Sequence, residues 1–198
     1  MIKHLTGCTI SVLLALSIVA CSSDDDDPSD SGETSTPTDS NGGGPTINTA
    51  FDGTWTQGCT ADDPEDPETE YETTTLTIAG DVSTANVQFF SDSECQTPST
   101  GFQTGTITSS IVYPGAVTTT TQGDATHIDV TVESLLLDGE PPPEALAAFS
   151  PVGEITYDLA LIEGDTLYAG DDSGEFDGST AALRPTQLDT ANTFTRQQ

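Results

Sequence analysis

Hydrophobic and polar residues follow three different rhythms along the chain. From Ile10 to Ala20 the residues are almost continuously apolar and are preceded by the basic Lys3 and His4. That run is too short to span a bilayer with its flanks, so it predicts a secretory signal over residues 1–20 rather than a permanent helix. From Ser22 to about Thr46 apolar side chains nearly vanish, and the run Asp24 to Asp27 and the triplet Gly42 to Gly44 set the tone. Nothing in this stretch offsets the cost of ordering a backbone, which predicts a flexible, self-repelling acidic tether over residues 21–46. Beyond Ile47 the apolar residues fall at alternate positions: Leu76 with Ile78, Val87 with Phe89, Ile128 with Val130 and Val132, Ile155 with Tyr157, Leu159 and Leu161. Period two is the signature of a strand with one buried face.

Turn-forming pairs such as Gly80-Asp81, Pro114-Gly115, Gly123-Asp124, Asp138-Gly139 and Gly164-Asp165 cut this region into short pieces. The strands expected are 54–59, 72–79, 82–90, 101–110, 116–121, 127–137, 154–162, 166–169 and a short last one at 193–196. Pro143 to Phe149 reads as one short connecting helix, because a proline opens it and Glu144, Ala145, Leu146 and Ala147 favour helix. Residues 47–198 have the size of one domain. Consecutive short strands without βαβ spacing predict an all-β fold, an antiparallel up-and-down barrel or a sandwich.

Leu16-Ser17-Ile18-Val19-Ala20-Cys21 resembles the lipobox of bacterial lipoproteins, in which an aliphatic and a small residue precede an invariant cysteine. The resemblance implies lipidation of Cys21, cleavage just before it and anchoring to a membrane. Two or three acyl chains, at about 0.8 kcal/mol per buried methylene, hold a soluble domain there indefinitely. The sorting rules of that family, with Ser22 rather than Asp after the cysteine, point to the outer membrane. Cys8 would leave with the signal and Cys21 would carry lipid. Cys59 and Cys95 are then the remaining thiols in an oxidising compartment, and a disulfide between them would contribute roughly 3–4 kcal/mol. A redox or metal-binding pair is the alternative, although it lacks the C-x-x-C spacing and neighbouring histidines.

The whole chain has a formal charge of −30, and all 33 acidic residues follow Cys21, where only two arginines remain. Such a surface repels nucleic acid and anionic headgroups, so partners should be neutral, cationic or metal-bearing. A saline habitat, in which screening cancels self-repulsion, is the simpler reason for the charge.

Gly53-Thr54-Trp55 on the first expected strand is similar to the Gly-x-Trp signature of lipocalins, whose tryptophan closes the barrel floor with an arginine from a late strand across it. Arg196 is the matching arginine. The segment from Phe51 to Gln198 also resembles a group of uncharacterised acidic lipoproteins of marine bacteria. The shared features are Gly53 to Cys59, the Ser91-Asp92-Ser93 turn before Cys95, and the runs Gly164 to Asp171, Arg184 to Asp189 and Phe194 to Arg196. This implies a lipocalin-like barrel and not a lipocalin activity.

His127 is the single histidine after Cys21, which excludes metal sites needing two imidazoles and leaves a Ser-His-Asp triad without a Gly-x-Ser-x-Gly elbow. No catalytic residue is assigned, and a non-enzyme is expected. Hard cations want clustered oxygens, so calcium is the one cofactor the sequence suggests. Two acidic segments supply oxygens: Asp62, Asp63, Glu65, Asp66 and Glu68, and the candidate ligands Asp171, Asp172, Glu175 and Asp177. The expected function is a lipid-anchored binding or structural module of the envelope, with a small apolar ligand inside the barrel as its candidate cargo. The alternative is a surface interaction protein whose acidic loops are ordered by calcium.

Overall fold

The computed structural model describes residues 48–61, 70–100, 103–139 and 149–198. The signal, Cys21, the tether, the acidic segment from Asp62 to Glu68 and all of the expected helix except Phe149 lie outside the described residues. The described part is all-β apart from two short 3-10 turns, Thr49–Phe51 and Ala181–Leu183.

Nine strands follow: β1 (Gly53–Ala61), β2 (Tyr71–Ala79), β3 (Val82–Phe90), β4 (Thr104–Val112), β5 (Val117–Thr119), β6 (Asp124–Asp138), β7 (Ile155–Glu163), β8 (Thr166–Ala169) and β9 (Phe194–Arg196). Each coincides with an expected strand, and the ends move by at most a few residues. The sheet runs β4-β3-β2-β1-β9-β8-β7-β6-β5, and a further β4–β6 pairing joins its two arms. Eight strands therefore close into an antiparallel up-and-down barrel, with β5 outside the ring as a hairpin partner of the first residues of β6. Closure rather than a sandwich is the outcome, and it leaves the ring no unpaired edge.

Two strand irregularities shape the ring. β1 shifts register between Gln57 and Thr60, and the β4–β6 pair shifts between Thr108 and Ser109. Such bulges bend a strand and raise its twist, which a small barrel needs in order to close.

The core fills the ring. Trp55, Leu76, Ile78, Val87, Phe89, Ile107, Ile111, Ile128, Val130, Val132, Leu167 and Phe194 form one buried cluster from alternate positions of their strands. Strand β7 departs from the sequence reading. Its apolar set Ile155, Tyr157, Leu159 and Leu161 does not face the interior. The small residue Ala160 does, and Leu159 joins a second cluster with Ala125 and Leu188, flanked by Leu161 and Tyr168. The physical reason is a cover: the chain between β8 and β9 lies over this outer face and buries Leu188 against it, so period two on β7 marks the side facing that segment.

Candidate functional site

The floor of the barrel is built by residues just before and within β1. Trp55 is fully buried, and its Nε1–H donates to the carbonyl of Phe51 at 3.0 Å. The Arg196 guanidinium lies 4.0 Å over the indole and donates to the Asp52 carbonyl at 2.9 Å, while Arg196 is the register partner of Trp55 across β1 and β9. The pair joins the first strand to the last. Gly53 explains the leading position of the motif: its φ is +143°, and a Cβ there would stand 2.8 Å from an Arg196 guanidinium nitrogen. Phe51 stacks on Tyr113 at 5.8 Å, and burial beside Asp52 and Asp81 pushes the Tyr113 hydroxyl up to about 12.

Above the floor the apolar side chains of the described strands pack into one cluster. A residual cavity of about 20 Å³ is lined by Leu76, Ile128, Val130, Ala160 and Leu167 among others. This is room for one or two water-sized groups, far below the several hundred Å³ of a pocket for a drug-sized ligand. At the opposite end Phe149 is buried and packs edge-on against Phe89 at 6.4 Å. Between the two ends β1 and β2 turn polar side chains inward. Gln57 and Thr74 face each other in register, at 5% and 1% exposure, and Glu72 stands two residues before Thr74. Gln57 Oε1 and Thr74 Oγ1 are buried without a hydrogen-bond partner. Leaving a buried polar atom unsatisfied costs about 1–3 kcal/mol, so two side by side are a feature to explain. Strand parity places both residues inside, but Gln and Thr read as surface residues in a sequence.

Cys59 at the end of β1 and Cys95 in the loop after β3 are joined by a disulfide, with Cα atoms 5.7 Å apart. Asp92 organises that loop. Its carboxylate accepts from the backbone N–H groups of Glu94, Gln96 and Thr97, and the bond from Thr97 leads in holding it below the usual carboxylate range. The Ser91-Asp92-Ser93 turn is thus the device that presents Cys95 to Cys59.

No known family model and no curated protein matches this chain.

Of the calcium candidates, Asp171 accepts from the N–H and hydroxyl of Ser173, and Asp177 from those of Ser179, so each is turned back on its own loop. Among the described residues no three His, Cys, Asp or Glu side chains group so as to hold a metal ion. Asp171, Asp172, Glu175 and Asp177 are thus not brought together as a ligand set. His127 shares a 2.8 Å hydrogen bond with the Thr118 hydroxyl, and burial, aided by the Arg184 charge, lowers its pKa.

The polar cluster that sequence reasoning missed lies beneath the segment covering β7. Arg184, at 9% exposure, donates through Nη1 to the carbonyls of Ile128 and Asp158, both at 2.6 Å, and through Nη2 to Asp129. It also lies 5.5 Å from the centre of the Tyr157 ring. Beside it Asp158 accepts from the N–H groups of Leu159 and Gly170. Gly170 must be glycine, because a Cβ would collide with the Asp158 carboxylate and with Pro185. Burial is the main cause that pushes Asp158 up to about 7, with the nearby Asp172 adding to it; Asp172 itself rises to about 6 through burial and through Asp171, Asp189 and Asp177. One signal was available in advance: Arg184 is one of two cations in a strongly acidic stretch, and such a rarity tends to hold buried acceptors.

A pH dependence follows. The folded pKa of Asp158 lies above its ordinary 3.8, so the native state binds the proton more tightly. Its stability contribution is complete below about pH 4 and is lost as pH rises through about 7, a change of roughly 3–4 kcal/mol. Melting temperature measured between those limits should fall with pH, and Asp158→Asn should flatten the slope. An unchanged slope in the variant would show that Asp158 is not the group involved.

Proposed function

We propose that this chain is a lipoprotein anchored to the outer membrane through Cys21, whose closed barrel acts as a non-enzymatic binding or structural module held off the bilayer by the acidic tether. The observation that carries this reading is the barrel itself: a ring closed by Trp55 and Arg196, filled by apolar side chains and stapled by Cys59–Cys95. A disulfide suits an exported protein, and a packed ring presents a stable body rather than a reaction chamber.

Growth with labelled palmitate tests the anchor. The natural chain should take up label and fractionate with the outer membrane, and Cys21→Ser should do neither. An unlabelled natural chain recovered from the cytosol would overturn the proposal.

A further inference from the structure

We propose that residues 170–193 form a strap that lifts off the outer face of β6–β8, leaving the ring closed, when the Asp158 carboxyl at its root loses its proton. The inference goes beyond the function proposed above and does not depend on the lipid anchor. The connectivity allows the strap to move by itself. It leaves β8 after Ala169 and returns at Phe194, and β8 and β9 pair directly, Thr166 with Thr195 and Leu167 with Phe194. Strand β9 pairs in turn with β1, so the seam of the ring does not run through the strap. The ties from strap to strands include Arg184 on Ile128, Asp158 and Asp129, the Gly178 carbonyl accepting from the Tyr157 N–H, and Leu188 against Ala125 and Leu159.

Asp158 sits where the strap begins. Its Oδ1 accepts from the N–H groups of Leu159 and of Gly170, the first residue of the strap, and Pro185 crowds the same corner. The side chain is buried, so its ionised form forgoes most of its hydration while the strap is docked and regains it when the strap lifts. Charges face this corner from both layers. On the strap Asp172 opposes ionisation and Arg184 favours it; on the strands Asp129 is engaged by Arg184, and the Tyr157 ring lies beneath the guanidinium. Burial outweighs Arg184 and carries the Asp158 carboxyl up to about 7, and Asp172, at about 6, acts in the same direction. His127 on β6 acts with the opposite sign. Burial holds it below its ordinary 6.5, so its protonation weakens docking at low pH and does not account for a loss at high pH.

The docked form thus binds the proton more tightly than the lifted form, in which Asp158 returns to its ordinary 3.8. Docking is strongest at low pH and weakens as pH rises through about 7. Lifting uncovers the outer cluster of Ala125, Leu159, Leu161 and Tyr168, an apolar face that the barrel presents more often as the medium turns alkaline.

Native-state hydrogen exchange of the full chain, extracted in detergent and followed by NMR, tests the strap, with each rate corrected for the intrinsic effect of pH. The Tyr157 and Asp189 N–H groups bond between strap and strands, whereas those of Arg196 and Gln197 bond along the seam. At every pH the first pair should be less protected than the second, and dilute urea should barely hasten its exchange, as befits a local opening. Between about pH 5 and about pH 8 the protection of Tyr157 and Asp189 should fall on the order of a hundredfold. Asp158→Asn, which keeps the acceptor oxygen and cannot ionise, should lose most of that fall while its seam protection at the lower pH stays that of the natural chain. Strap and seam protection that coincide and share one urea dependence would overturn the proposal, because the strap would then open only with the whole barrel. Strap protection that does not change with pH, or an Asp158→Asn variant that keeps the full change, would overturn it as well. Palmitate labelling is indifferent to all of these, so the anchor proposal and the strap fail separately.

Discussion

Arg184→Ala should lower the stability of the domain by about 3–5 kcal/mol, the usual cost of removing one partner from a buried charged contact. For a domain of this size that corresponds to a fall in melting temperature on the order of 10 °C. Three acceptors lose their donor at once, namely the carbonyls of Ile128 and Asp158 and the carboxylate of Asp129. The first two belong to residues paired across β6 and β7. Arg184→Lys should recover little, since an ammonium on a flexible stem cannot span acceptors that a planar guanidinium reaches together. Asp129→Asn should cost less, because Asp129 is partly exposed and the two carbonyl contacts survive. Chemical denaturation of the three variants checks the order. An Arg184→Ala variant as stable as the natural chain would mean that the covering segment is held by Leu188 and its neighbours alone.

Removing the staple is the second large effect. Cys59 and Cys95 are 36 residues apart, and opening a loop of that length releases about 4 kcal/mol of restraint on the unfolded chain in the loop-entropy treatment. The Cys59→Ser, Cys95→Ser double variant should therefore melt on the order of 10 °C lower than the natural chain. The natural chain under reducing conditions should match it. If reduction leaves the melting temperature unchanged, the bridge does not contribute to stability. The two effects should add, because Arg184 and the bridge share no contact residue.

Much of the architecture was legible before any coordinates because a strand announces itself locally. Alternation at Leu76–Ile78, Val87–Phe89 and Ile128–Val132, cut by Gly-Asp turns, is enough to place strands and ends, but it leaves a barrel and a sandwich equally open, and the β4–β6 pairing that decides for closure is a long-range fact. What alternation cannot say is which side of a strand faces the axis. On β7 Leu159 and Leu161 belong to the outside because a segment from beyond β8 brings Leu188 over them, while Ala160 and Ile162 face the interior, and that cover is a long-range fact. The inward polar residues were hidden for a related reason: Gln57 and Thr74 obey the parity of their strands, yet their chemistry reads as surface. The run Arg184 to Asp189 was visible only as a resemblance. The structure gives its members packing roles, with Arg184 on the carbonyls, Pro185 against Gly170, Leu188 in the outer cluster and Asp189 accepting from the N–H groups of Ala191 and Asn192. Among the acidic residues, which the sequence could weigh only by their abundance, Asp171 and Asp177 accept from Ser173 and Ser179 of their own loops.

The most direct test of the whole account is the intact mass of the protein purified from membranes of the cells that make it. A chain beginning at Cys21, heavier by a diacylglyceryl group and with Cys59 and Cys95 lacking their two thiol hydrogens, is the predicted species. A chain still beginning at Met1, without lipid and with both thiols free, would contradict it.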